Sequence, residues 1–444
     1  MNNFSKNKIL NFISLTFPSV LISLFVCFVF YPGFMSYDTL HALRGARNGV
    51  VDSAWPPMVS YIWRSVDLVS TNPSAMHFFQ VFILVSSIFY IIYHNSNKIS
   101  LTVFGLFLYL SFPAILGTLA VIWKDVLMAA FFLASHAIII FMRSLKSNVW
   151  FLMYFIIVIF MIFLGISSRH NAIFGAFPLL FYLVYVSVNK LNVNKGKVFY
   201  IAALTFVLSG GLYGFKSQLD HYSLPGFHNI QSATTGFIES VRVLDIAGAS
   251  ICVGENLYAD INKDLTVNDI KTIYDPKHVN LSAGLFEKVG VDHRINKIWI
   301  DTLLNHPVCF FYNKYYMTYY LIGLNSGKQF LITAPAIDEN EYGYKLEKST
   351  VRDSFVNYIT NISQFFVLKP WFIWLVALCI FVVLGFKRKL TLDLTVLYTS
   401  SFMYFLGLFL FGNASDARLA FFTTTGFIVF ILICVVNWSR DKYK

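Results

Sequence analysis

Charge is what this 444-residue chain has least of. Only 13% of its residues are Asp, Glu, Lys or Arg, about half the roughly 25% of a soluble domain. Phe, Tyr and Trp number 47, 25 and 8 and outnumber all charged residues together. That much apolar surface exceeds the few hundred Å² that water tolerates, which excludes an ordinary soluble enzyme. Cysteine is scarce as well, five in all, so a disulfide-dense secreted scaffold is excluded; the five show no metal-ligand spacing. Low-complexity tracts and a repeat period are missing, and 57% apolar residues exclude a disordered chain. Acids (23) are fewer than bases (34), giving a net charge of +11. The bases sit in short gaps between apolar runs rather than along one stripe, which argues against a nucleic-acid partner. What the chain does have is apolar runs along its whole length and a mean hydropathy of +0.63. The expected fold class is an all-α polytopic membrane protein.

At about 20 mostly apolar residues per crossing, ten spans are predicted: 9–31, 78–94, 99–118, 126–142, 149–167, 172–188, 198–215, 370–386, 391–411 and 419–438. The first is too long for a signal peptide and no small-residue cleavage site follows it, so it reads as a retained anchor. Alternate gaps hold Lys6 and Lys8; Lys98; Arg143 and Lys146; Lys190, Lys195 and Lys197; Lys387, Arg388 and Lys389; and Arg440, Lys442 and Lys444, with Asp441 the one acid among them. The positive-inside bias places these gaps, and both termini, in the cytoplasm. The opposite face receives a loop over 32–77, short loops at 119–125, 168–171 and 412–418, and a block over 216–369. The chain thus divides into an N-terminal membrane module (1–215), an outer domain (216–369) and C-terminal membrane helices (370–444). Cys252 and Cys309 share the outer block and can pair if it faces an oxidising compartment; the sequence leaves this open. In the same block Thr266 is a plausible helix N-cap, and the helix through WIDTLLNHP should end at His306, before Pro307.

The informative charges cluster on the outer side. Pro32 and Gly33 should stop the first helix, and Ser36 should cap a short helix carrying Asp38, His41, Arg44 and Arg47. Its stripe of Leu40, Leu43 and Ala46 predicts that it lies in the membrane interface. A half-desolvated Asp38 is expected to have a raised pKa and to act as a general base; the alternative is an acid favoured only by the helix dipole. DSAWPP then re-aims the chain at Trp55 into an amphipathic stretch over 58–68. VIWKDV places Lys124 and Asp125 as the sole charges between two spans, either a neutralising pair or a base beside a phosphate ligand. SSRHN supplies Arg169, His170 and Asn171, and GNASDAR supplies Asp416 and Arg418. Cations in every short outer loop run against the topological bias. Arg and Lys gathered at a membrane surface suit phosphate, most simply the headgroup of a lipid carrier.

The order YPG-x4-D, WPP, WKD, RHN and DAR resembles the polytopic glycosyltransferases of the C-type fold, which use polyprenyl-phosphate sugars. The resemblance implies that Asp38 is the catalytic acid-base residue and that Asp125 is a second catalytic acid. It implies that Lys124, Arg169, His170 and Arg418 bind the donor phosphate, with His41, Arg44, Trp55, Asn171 and Asp416 as acceptor-side or supporting residues. Trp55 stands where the family commonly has His, which removes one polar ligand. Size and layout resemble the O-antigen glucosyltransferases of lipopolysaccharide. The resemblance implies undecaprenyl-phosphate glucose as donor, a lipid-linked glycan as acceptor, and a site on the periplasmic face of the bacterial inner membrane. No cofactor is required on this reading, although a divalent cation shared by Asp38 and Asp125 stays an open alternative. Two rivals are an O-antigen polymerase or ligase working through Arg242 or Arg294, and a flippase or transporter, for which Ser209-Gly210-Gly211 is the best broken-helix signal. Tyr312, Tyr315, Tyr316, Tyr319 and Tyr320 suit either sugar stacking or an interfacial aromatic belt.

Overall fold

The structure, a computed structural model, describes the backbone of residues 2–52, 55–191, 196–230, 234–277, 282–290 and 292–442. It describes the side chains of the same residues except 2–15, 230, 234–237 and 439–442. Of the residues that set the expected orientation, Lys6, Lys8, Lys195, Arg440, Asp441, Lys442 and Lys444 lie outside the described side chains.

Among the described residues the named elements are helices apart from one two-stranded ribbon. It runs through α1 (Asn2–Val29), α2 (Tyr37–Asn48), β1 (Val50–Asp52), α3 (Met58–Asp67), α4 (Pro73–Ser96), α5 (Ile99–Ser111), α6 (Pro113–Leu119), α7 (Lys124–Met142), α8 (Asn148–Ser168), α9 (Ile173–Lys190) and α10 (Lys197–His221). β2 (His228–Ile230) pairs in parallel with β1, Val50 opposite His228. There follow α11 (Thr234–Val253), α12 (Val267–Ile273), α13 (Ala283–Val289), α14 (Arg294–Asn305), α15 (Pro307–Leu321), α16 (Thr350–Ile362), α17 (Pro370–Phe386), α18 (Leu392–Phe411) and α19 (Phe421–Lys442).

Among the described residues, seven stretches are long and apolar enough to cross a membrane: α4, α7, α8, α9, α10, α18, and Ala417–Trp438 along α19. The expected span over 99–118 is two helices, α5 and α6, bent by 83°. Phe112 between them is extended (φ −72°, ψ 124°), as the residue before Pro113 must be when the proline ring crowds its α conformation. The first and eighth expected spans fall on the shorter apolar helices Thr16–Val29 and Pro370–Phe386. α7 is the central helix: 89% of its apolar window is buried, against 33% for α8 and 17% for α10. One apolar core gathers α1, α4, α7, α9, α18 and α19, and a second lies under the first outer loop. Ser209-Gly210-Gly211 does not break α10, which continues from Lys197 to His221.

The 216–369 block has its own core, built on α11–α14. Thr266 does cap α12, with Asp269 completing a capping box, and α14 does end at Asn305 with His306 before Pro307. Cys252 on α11 and Cys309 on α15 are joined in a disulfide. Beside it the Lys314 ammonium lies 2.7 Å from Asp245, both fully buried, and Trp299 Nε1 donates to the same carboxylate at 2.9 Å. Burial pushes the Asp245 carboxyl up, against the pull of Lys314 and these donors.

The short helix α2 forms as expected, but two of its details differ. The Ser36 side chain makes no cap bond; it accepts from Trp123 Nε1 at 2.9 Å instead. Leu40, Leu43 and Ala46 are buried in the protein rather than laid in an interface, because α3 folds back across that stripe. Trp63 on α3 is 1% exposed in the same cluster.

Candidate functional site

α1 ends at Val29, and the chain turns through Gly33, whose φ of +104° is a conformation that glycine adopts without strain. It then runs beside the segment that leads into α7. Phe34 N–H donates to Ala120 O at 2.9 Å, and Ile122 N–H to Phe34 O at 3.0 Å. Thr39 Oγ1 closes the join on Ile122 O at 2.9 Å. Because this parallel bridge sets Phe34 opposite Val121, the first turns of α2 and α7 start side by side. Asp38 and Lys124, which are 86 positions apart in the chain, therefore face one another.

Three chain segments converge at this point. Asp38 Oδ2 lies 2.8 Å from Arg418 Nη2 and 3.8 Å from Lys124 Nζ. Trp55 Nε1 donates to Asp38 Oδ1 at 3.1 Å. Arg418 is carried by the short turn Ala417–Ala420 before α19. Ala417 N–H anchors that turn on Phe330 O at 2.9 Å, and Asp416 Oδ2 accepts from Arg418 Nε at 3.2 Å. The guanidinium stacks over Trp123, 4.9 Å from the ring centre. Its Nη1 is buried without a hydrogen-bond partner.

Lys124 and Asp125 do not neutralise each other. Lys124 turns to Asp38, and Asp125, 1% exposed, pairs with Arg169 at the end of α8. Asp125 in the first turn of α7 also meets the positive end of the helix dipole. Asp38, Asp125 and Asp416 thus balance Lys124, Arg169 and Arg418, three charges of each sign.

This arrangement corrects the expectation of a raised Asp38 pKa. Burial alone would raise it, but the charges of Lys124 and Arg418 and the hydrogen bonds from Trp55 and Arg418 outweigh burial. Together they hold the carboxyl well below the usual carboxylate range. Asp38 is an ionised counter-ion at neutral pH.

A small pocket of about 20 Å³, enough for one water, opens beside the cluster; Asp38, His41, Asp52, Trp55 and Lys124 are among its walls. His41 packs on Trp55 with ring centres 4.4 Å apart. Val59 and Ser60 on α3 face this pocket, whereas Met58, Tyr61 and Ile62 face an apolar groove of about 700 Å³ between α3, α4, α7, α8 and α10. A second apolar crevice of about 570 Å³ continues along α4 and α7, and Phe82 lines both.

The other candidates lie around this centre or apart from it. His170 is half-buried and Asn171 is buried, its Oδ1 without a hydrogen-bond partner. Arg44 faces outward to Glu341 at 3.8 Å. Arg294 is held by Asp292 at 2.6 Å on the outer block, and Arg242 is on α11. Tyr312, Tyr316 and Tyr319 stack along α15. Among the described residues no group of His, Cys, Asp and Glu is arranged to hold a metal, and Asp38 and Asp125 are committed to different cations. Sequence reasoning missed Asp52 and Trp123. Asp52 heads the DSAWPP motif and Trp123 immediately precedes Lys124, so both stood next to residues already singled out. Comparison of the chain with known proteins finds no matching family model, no matching curated protein and no matching solved structure.

Proposed function

We infer that the protein is a membrane glycosyltransferase of the C-type fold. It moves a sugar, glucose on the resemblance, from a polyprenyl-phosphate donor to a lipid-linked glycan such as an O-antigen. The observation that carries this reading is the convergence of Lys124 and Arg418 on one carboxylate, in a pocket whose α3 wall is shared with an apolar groove. A phosphate needs the first feature and an isoprenoid the second. The groove and the crevice follow α4 from Ala75 to Tyr90, roughly 22 Å at 1.5 Å per residue, a path suited to a long prenyl chain.

The balance of three carboxylates and three cations supports an exchange. Asp38 keeps Lys124 and Arg418 aimed while the site is empty. The donor phosphate takes those cations over, and the unused Nη1 of Arg418 gives it a further donor. In the transfer, the acceptor oxygen forms a bond to the anomeric carbon. The bond from that carbon to the phosphate oxygen breaks, and its electron pair leaves with the polyprenyl phosphate. Lys124 and Arg418 stabilise the departing phosphate, and the freed Asp38 carboxylate stabilises positive charge developing on the sugar ring. Asp125 and Arg169 brace the start of α7 beneath Lys124.

The proposed topology has ten crossings, with α5–α6 as one broken crossing and both termini in the cytoplasm. The site and the 216–369 block then face the periplasm of the inner membrane. The Cys252–Cys309 disulfide supports that side, since such bonds persist in oxidising compartments.

The test is purified protein in lipid nanodiscs supplied with labelled polyprenyl-phosphate glucose and an envelope fraction containing lipid-linked glycans. Label passing to the glycan is the expected result, with Arg418→Ala raising the donor KM. A wild-type protein that leaves the donor intact overturns the reading.

A further inference from the structure

We propose that His41, backed by Asp52, takes the proton from the acceptor hydroxyl, an assignment that rests on the glycosyl-transfer reading above. The argument begins with what the other acids are doing. Asp38 Oδ1 accepts from Trp55, and Oδ2 faces Arg418 and Lys124. Asp125 is buried against Arg169, and Asp416 is 1% exposed against Arg418. All three are paired with cations, the environment that makes a carboxylate a poor proton acceptor.

His41 has the opposite surroundings. It is one turn along α2 from Asp38 and lines the same pocket. Its ring is held against Trp55 at 4.4 Å, with Tyr37 on the same helix at 6.4 Å. Among the described residues no hydrogen bond engages its ring nitrogens, so they are open to a hydroxyl in the pocket. Asp52, at the end of β1, lines the pocket too, on the chain segment that leads into Trp55.

The charged groups acting on the imidazole are Asp38 and Arg44 from α2, Asp52 from β1 and Lys124 from α7. Burial holds its pKa below the ordinary histidine value. Asp52 and Asp38 oppose that effect, while Lys124 and Arg44 add to it. A neutral imidazole at pH 7 follows, with carboxylates placed to stabilise the imidazolium it becomes.

The step balances. As the acceptor oxygen attacks the anomeric carbon, its O–H bond breaks and the proton moves to a His41 ring nitrogen. The electron pair of the broken sugar–phosphate bond departs with the polyprenyl phosphate. The imidazolium, beside Asp52, then returns its proton to water.

The experiment is the pH profile of kcat/KM for transfer from labelled polyprenyl-phosphate glucose, between about pH 5 and about pH 9, a window that brackets histidine titration. The wild-type protein should lose activity on the acid side as His41 is protonated. His41→Gln should lower transfer about 10²- to 10⁴-fold and flatten that acid limb, with donor affinity unchanged. Asp52→Asn should move the limb to lower pH, because loss of its charge makes the imidazole harder to protonate. If His41→Gln lowers the rate while keeping the limb, or Asp52→Asn leaves the limb in place, His41 is not the acceptor. An active wild-type protein with an unaffected His41→Gln variant overturns this assignment alone. A wild-type protein that transfers nothing overturns the glycosyl-transfer reading together with it.

Discussion

Asp38 is held by two cations and an indole N–H, so its charge is part of what keeps the starts of α2 and α7 and the turn before α19 together. Its folded pKa lies below the unfolded value. Its contribution to stability is therefore fully present above an unfolded pKa of about 3.9 and is lost as pH falls from there toward the folded value. The stability difference between wild type and Asp38→Asn, from thermal unfolding in detergent, should stay constant from about pH 8 to about pH 5 and shrink below about pH 4. On the exchange mechanism the same variant should bind donor at least as tightly as wild type, having lost the competing carboxylate. Its transfer should nevertheless fall by about 10²-fold or more, the cost of removing a preorganised charge; single-turnover kinetics with a separate binding measurement would separate the two effects. The Asp125–Arg169 pair behaves differently because Asp125 is 1% exposed. Arg169→Leu strands a buried carboxylate and should destabilise the protein by roughly 3–5 kcal/mol. Replacing both residues by apolar ones should recover most of that loss, as read from the same unfolding curves. At this scale the charged residues themselves were legible, since Asp38, Lys124, Asp125, Arg169 and Arg418 stand out in otherwise apolar or basic surroundings. Their pairing was not: Lys124 and Asp125 are adjacent, yet point to partners 86 and 44 positions away.

Helix type followed from hydropathy and punctuation, but helix length did not everywhere, since 99–118 divides at Pro113. Thr266, Pro307 and the 58–68 stretch all mark the elements they were expected to mark. The orientation of α2 did not follow, because a stripe of Leu40, Leu43 and Ala46 suits a lipid interface and a packed helix equally. The choice is made by α3, which packs so close that a Cβ on Gly45 would lie 2.4 Å from the Ser60 side-chain Oγ. Gly45→Leu should therefore push the two helices apart, costing roughly 1–3 kcal/mol and moving Asp38 and His41 out of register with Lys124. Transfer should fall far more than thermal stability does, which parallel activity and melting measurements would reveal.

Across the whole molecule, the packing joins a bundle of apolar helices to the 216–369 block with its own core. The Cys252–Cys309 bridge closes 57 positions of chain within that block. The Cys252→Ala, Cys309→Ala double variant should lose about 2–4 kcal/mol. On the proposed topology, a membrane-impermeant thiol reagent applied from the periplasmic side should label the two cysteines only after reduction. Labelling from the cytoplasmic side alone would reverse the assigned orientation.

By itself the sequence determined that the chain is helical and apolar, the approximate places of its apolar helices and the short segments between them that carry the unusual charges. Those properties are local, since hydrophobic length, capping chemistry and the scarcity of charge can be read within a window of about twenty residues. Only the tertiary structure decided that α5 and α6 bend apart, that Asp38 is a counter-ion between Lys124 and Arg418, and that His41 and Asp52 share its pocket. Each of these depends on the register between segments far apart in the chain, such as Phe34 opposite Val121 and Ala417 on Phe330. Such register is set by packing and backbone hydrogen bonds that no single stretch of sequence contains.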